Sequence, residues 1–128
     1  MSIVTGVDFI TIPVQDLDRA REFYGQTLGL SASKLWQRGE QPAMGAEFET
    51  GTVTLALMDV AQMGQAFVVG AGTIALHVED VAASRAELEA RGVEFAMDDM
   101  DSGVCNMAFF SDSEGNALML HHRYAPQA

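Results

Sequence analysis

FITIPVQDLDRAREFY, residues 9–24, returns in pattern as TIALHVEDVAASRAEL, residues 73–88. Ile10, Ile12 and Val14 alternate in the first stretch as Ile74, Leu76 and Val78 do in the second. That is the period of a strand with one apolar face. Asp16 and Asp80 then stand where an acidic cap opens a helix, Leu17 matches Val81, and Arg21 matches Arg85. The spacing between partners is constant, and an internal repeat of this kind sets the architecture before any other feature does. Leu17, Ala20, Tyr24 and Leu28 are spaced for one helix face, which Phe23 widens, and Gly29 and Gly92 punctuate the two helix ends.

The tails of the repeat correspond as well. FETGTVTLALMD (48–59) parallels FSDSEGNALMLHH (110–122), with Leu55 and Leu57 falling on Leu118 and Leu120. Gly51 and Gly115 each mark a turn between short strands, as in hairpins. One more strand fits between helix and hairpin, at Ser31–Gln37 in the first half and at Glu94–Met97 in the second. Each half therefore reads as strand–helix–strand–strand–strand. The expectation is one α+β domain over residues 1–128, built of modules 1–60 and 73–124 and linked by 61–72. That link is long enough to hold some structure of its own.

Composition excludes several classes. Seven basic residues against 18 acidic ones leave a net charge of −11, with no basic cluster. A nucleic-acid footprint is absent, and anionic membrane surfaces would repel the chain. MSIVTGVDF has no basic segment followed by an apolar run, and no 18-residue apolar stretch occurs anywhere. A cytoplasmic location is the expectation. Cys105 is the single cysteine, so no intrachain disulfide forms, and buried filler is its expected role.

A helix covers only one face of a sheet. Ile10, Ile12, Val14, Leu55 and Leu57 belong beneath it. The other faces carry Phe9, Thr11, Pro13, Thr54, Ala56 and Met58 in the first half, and Thr73, Ala75, His77, Ala117, Met119 and His121 in the second. These faces must meet each other, meet another subunit, or enclose a pocket. The list is semi-polar and carries no fixed charge, which suits a pocket wall better than a solvent surface.

The doubled strand–helix–strand–strand–strand pattern, with DLDRAREFYGQTLGL (16–30) early and DSEGNALML (112–120) late, resembles the vicinal oxygen chelate superfamily. This is the group of glyoxalases, bleomycin resistance proteins and extradiol dioxygenases. Ser113 stands where the family turn has proline, and Glu114 where it has a second aspartate. The resemblance implies two βαβββ modules whose mixed sheets curve into a cup, with two chains often packed as a homodimer. It also implies where a family metal would sit. Carried onto this chain, the ligand positions are Phe9, Ala56, Thr73 and Met119. Phe and Ala have no donor atom, Thr is weak, and Met suits soft metals only. No metal is expected there, and no cofactor.

Fold does not fix function, so the remaining residues are weighed singly. His77 and His121 both take the pocket-facing parity. They could anchor a polar group of a ligand, act as general base, or hold a displaced divalent metal, or they could simply pack. Asn106 could add a weak oxygen. His122 has the opposite parity and reads as a strand-end surface residue or a contact under the helix. Trp36 offers a stacking wall or is an ordinary half-buried aromatic. Met44, Met58, Met107 and Met119 give an adaptable lining or core filler. Arg21 and Arg85 read as exposed ion pairs of little consequence. No phosphate loop, paired-cysteine motif or nucleophile elbow is present. The leading reading is a binding protein of the bleomycin-resistance type. Its small organic ligand would lie against Phe9, Thr11, Trp36, Met58, Thr73, Ala75, Asn106 and Met119, with His77 and His121 as polar anchors. The alternative is a lyase, isomerase or dioxygenase-type enzyme using His77 and His121 as base or displaced metal site.

Overall fold

The computed structural model describes residues 2–126. The chain divides into two compact units, Met1–Val69 and Gly70–Ala128.

The first unit runs β1 (Phe9–Val14), α1 (Leu17–Glu22), β2 (Ser31–Trp36), β3 (Gly45–Glu49) and β4 (Thr54–Asp59), with a single turn of 3₁₀ helix at Val60–Met63. Its sheet has the order β1-β4-β3-β2, with β1 and β4 parallel and the other pairs antiparallel. Asp16 opens α1 by accepting the backbone N–H of Arg19 at 3.0 Å. The helix lasts six residues and then widens into a π-helical turn, Phe23–Thr27, in which the Leu28 N–H reaches the Phe23 carbonyl at 2.9 Å. That turn drives Tyr24 fully into the core, beside Phe23 and Phe48. Ile12, Val14, Ala46, Phe48, Leu55 and Leu57 complete the layer. Ile10 was expected beneath the helix but stays 38 % exposed. Burial along β1 begins only at Ile12, so the short α1 covers the far half of the strand.

The second unit runs β5 (Ile74–His77), α2 (Val81–Ala90), β6 (Met100–Asp101), β7 (Cys105–Ser111) and β8 (Ala117–Arg123), in the sheet order β5-β8-β7-β6. Asp80 caps α2 through the N–H of Ala83 at 2.9 Å. Val81 and Leu88 pack the buried side with Ala108, Phe110, Leu118 and Leu120. The DSEGN turn is held from inside. Buried Asp112 accepts from the N–H groups of Glu114 and Asn116 at 2.8 and 2.9 Å and from Asn116 Nδ2 at 3.0 Å. Asn116 Oδ1 in turn accepts the Gly70 N–H at 2.7 Å.

Two expectations need correction here. The strand expected at residues 94–97 is reduced to one bridge, Phe95 to Phe110, and the edge strand forms later, at Met100–Asp101. Arg85, expected as a surface ion pair of little consequence, instead binds this segment. Its guanidinium donates to the Met97 carbonyl at 2.7 Å and to Asp99 at 2.8 Å, and it lies 4.7 Å from the Phe95 ring centroid. The Asp99 hydrogen bond holds the Arg85 pKa above its ordinary value. The segment before β6 is thus held both by β7, through the Phe95–Phe110 bridge and the Ala96 N–H to the Phe109 carbonyl at 2.8 Å, and by the Arg85 side chain of α2.

Candidate functional site

In each unit the helix leaves one sheet face open, and strand register decides what that face carries. In the first sheet Phe9, Thr54, Glu49 and Ser31 form one row; Thr11, Ala56, Glu47 and Lys34 a second; Pro13, Met58, Gly45 and Trp36 a third. The face was expected to be uncharged, and Glu47 and Glu49 overturn that. They were legible: in GAEFE, Ala46 and Phe48 alternate with the two glutamates, so one pair must face the core and the other the open side.

These groups form a short polar network. Trp36 Nε1 donates to Glu47 Oε2 at 2.6 Å. Ser33 Oγ and Thr54 Oγ1 donate to the two oxygens of Glu49, each at 2.6 Å. The Ser33 bond first, and the Thr54 bond second, hold the Glu49 carboxyl below its ordinary pKa. Ser33 reaches Glu49 because the register slips between Ala32 and Lys34, leaving it as the extra residue of a bulge. Trp36 is 39 % exposed at the end of β2, and the Lys34 ammonium lies 5.5 Å from its ring centroid. Phe9 is 54 % exposed, Thr11 is exposed, Met58 is half-buried and Ala56 is buried.

In the second sheet Ala75, Met119 and Phe109 share a row, as do His77, His121 and Met107. Phe110 turns to the buried side and Phe109 to the open one. Thr73 lies one residue before β5 and is exposed, as is Ala75; Met119 and His121 are half-buried. Asn106 pairs with His122, so it takes the opposite face from Met107, Phe109 and His121. Its expected place beside those residues is corrected by one step of register, since side chains alternate at every residue. His77 also departs from expectation. Its backbone pairs with His121, yet its ring centroid lies 5.9 Å from that of His122, and its Nε2 lies 3.1 Å from Glu79 Oε1. It is the last residue of β5, and beyond it the Val78 N–H donates to the His121 carbonyl at 3.0 Å. His122 is half-buried, with its Nδ1 enclosed and without a hydrogen-bond partner among the described residues. Cys105 is buried at the start of β7.

The family's metal positions do not fit a metal. Phe9 and Ala56, on the first sheet, offer no donor atom; Thr73 and Met119, in the second unit, offer a hydroxyl and a thioether. An open cleft of about 710 Å³ also lies beyond the end of β1, lined by Asp16, Asp18, Arg19, Arg21, Gln37 and Gln62 among others. Several of its charges are already engaged: Asp16 caps α1, Arg21 lies 3.7 Å from Asp18, and Asp59 accepts from Gln62 Nε2 at 2.9 Å. The cleft is therefore a polar margin of α1, and the open face of the first sheet is the stronger site.

A sequence profile of the Glyoxalase/Bleomycin resistance protein/Dioxygenase superfamily matches residues 6–120. Among solved structures, TnmS3, an antibiotic-binding protein from Streptomyces sp. CB03234, is 25 % identical with a TM-score of 0.78, over 96 % of this chain and 99 % of that one. A superfamily member from Sphaerobacter thermophilus DSM 20745 is 25 % identical with a TM-score of 0.76, over 94 % and 98 %. Lactoylglutathione lyase from Agrobacterium tumefaciens is similar in fold, at 19 % identity and a TM-score of 0.76, over 94 % and 95 %. No curated protein matches the chain.

Proposed function

The chain belongs to the Glyoxalase/Bleomycin resistance protein/Dioxygenase superfamily, and from that premise we propose that it binds a planar, positively charged organic molecule on the open face of its first sheet. The observation that carries this reading is the placement of Trp36 beside Glu47, with Glu49 one row further along. An indole offers a stacking surface, and two carboxylates on a half-apolar wall attract a cation. The Lys34 ammonium already lies near the ring, at the kind of position a ligand cation would take. The net charge of −11 assists the approach of such a ligand. The likeness to an antibiotic-binding protein at 25 % identity supports a small organic ligand.

Binding of this kind needs no metal at Phe9, Ala56, Thr73 or Met119. The working form in this reading is a homodimer, because Phe9 at 54 % and Trp36 at 39 % exposure leave apolar surface on the open face for a second copy to shield. The cytosol is its location in this reading, where the single free cysteine meets no oxidising machinery.

Trp36 is the only tryptophan, so its fluorescence reports on this face alone. Titration with bleomycin and other basic planar antibiotics is expected to quench it saturably. Glu47→Gln is expected to weaken binding by roughly tenfold, as loss of one charge-assisted contact does. Absence of quenching and of any thermal shift across cationic ligands, with a neutral or anionic one binding instead, would reverse the assignment of charge.

A further inference from the structure

We propose that His77, Glu79 and His122 form a binding site for one divalent transition-metal ion of the zinc type, separate from the positions the family uses. One ligand atom from each of these residues lies within 4.8 Å of the other two. The His77 Nε2 to Glu79 Oε1 pair, at 3.1 Å, already has the spacing of neighbouring ligands. A tetrahedral ion about 2.0–2.1 Å from each donor places its ligand atoms about 3.3 Å apart. Side-chain rotation can close the remainder. The His77 and Glu79 side chains are 66 % and 89 % exposed, so no packing resists their movement.

A second observation concerns the same ring: His122 Nδ1 is enclosed with no hydrogen-bond partner among the described residues. Its centroid lies 5.9 Å from that of His77, so two imidazoles converge on one place.

The donor set decides the class of ion. Two imidazole nitrogens and one carboxylate oxygen suit zinc, cobalt or nickel; magnesium and calcium prefer oxygen alone. Three protein ligands leave a coordination position for water or for a small anionic group. Glu79 offsets part of the ion's charge, and the acidic chain favours cation uptake in general. His121 is excluded from the site, although its backbone is the ladder partner of His77. None of the three ligands lies on the first sheet, so this site and the proposed organic ligand stand or fall separately.

The test uses the full chain stripped with a chelator and zinc ion alone as probe. Calorimetric titration is expected to give one ion per chain, and zinc is expected to raise the melting temperature. His77→Gln and Glu79→Gln should each weaken binding by about tenfold or more, the scale on which a metal site responds to loss of a supporting group. Both side chains are exposed, so both variants should melt like the parent without metal. Cobalt, as a spectroscopic substitute, should show a d–d absorption band that His122→Gln abolishes. His121→Gln should bind zinc like the parent. The proposal is overturned if zinc does not bind, if binding survives both exposed-residue substitutions, or if it is lost with His121→Gln instead.

Discussion

At Glu49 the carboxylate is held by Ser33 and Thr54 together, and its pKa lies below the ordinary value for that reason. A depressed carboxyl pKa stabilises the fold at pH above the unfolded value, about 4.3, and that stabilisation disappears as pH falls through the folded value. Ser33→Ala is expected to move the Glu49 pKa upward towards the ordinary value, read by carboxyl-carbon NMR titration; an unmoved titration would mean that Thr54 alone sets it. Asp101 is lowered in the same sense, first by the Tyr124 hydroxyl at 2.7 Å and then by the Gly103 N–H. Gly45 illustrates a different constraint. A Cβ there would lie 2.6 Å from the Leu57 carbonyl oxygen and 2.8 Å from Met58 Sδ. Gly45→Ala is expected to cost about 1–3 kcal/mol, the range for overpacking against atoms that cannot give way. Denaturant unfolding measures this, and a neutral result would show that β3 can slide away from β4. These residue-level partners were only partly legible. GAEFE contains the alternation that exposes its glutamates, whereas the bulge that brings in Ser33 leaves no mark in SASKLW.

The elements were read with more success where the signal is local. Asp16 and Asp80 cap their helices because an aspartate can accept the N–H three residues on, whatever the rest of the chain does. Asp80→Ala is expected to destabilise by about 1 kcal/mol, which chemical denaturation would detect; no change would place the stability of α2 entirely in Val81 and Leu88. The edge strand of the second sheet forms at Met100–Asp101 and not at 94–97, and the segment between is bound by Arg85, twelve and fourteen residues before Met97 and Asp99. Arg85→Met is expected to accelerate amide exchange at Ala96, Met100 and Asp101 while leaving β7 and β8 protected. Uniform acceleration across the sheet would mean that Arg85 supports the whole unit. Parity gives His122 the face opposite His77, as a strand-end surface residue or a contact under the helix, whereas at the end of β5 the His77 ring lies 5.9 Å from it.

For the whole molecule, the governing quantity is the net charge of −11 on 128 residues. Self-repulsion of this kind weakens the compact state and is screened over a Debye length of about 10 Å at 0.1 M salt. The melting temperature is therefore expected to rise between about 20 mM and about 500 mM sodium chloride. A fall over that range would show that attractive pairs such as Arg91 with Glu87, at 2.7 Å, outweigh the repulsion. Light scattering at working concentration tests the homodimer, and a monomer at every concentration would leave the open face of the first sheet to a ligand alone.

The doubled pattern of alternating apolar residues, the two aspartate caps and the glycine-marked turns determined the element order and the family likeness. Each of these signals spans only a few residues and acts through the backbone nearby. Tertiary structure alone decided that Trp36 reaches Glu47, that Ser33 joins Glu49 and that His77 meets His122 instead of His121. Those contacts depend on a bulge, a strand end and the register between strands, and such features appear only when separate segments of the chain are laid side by side.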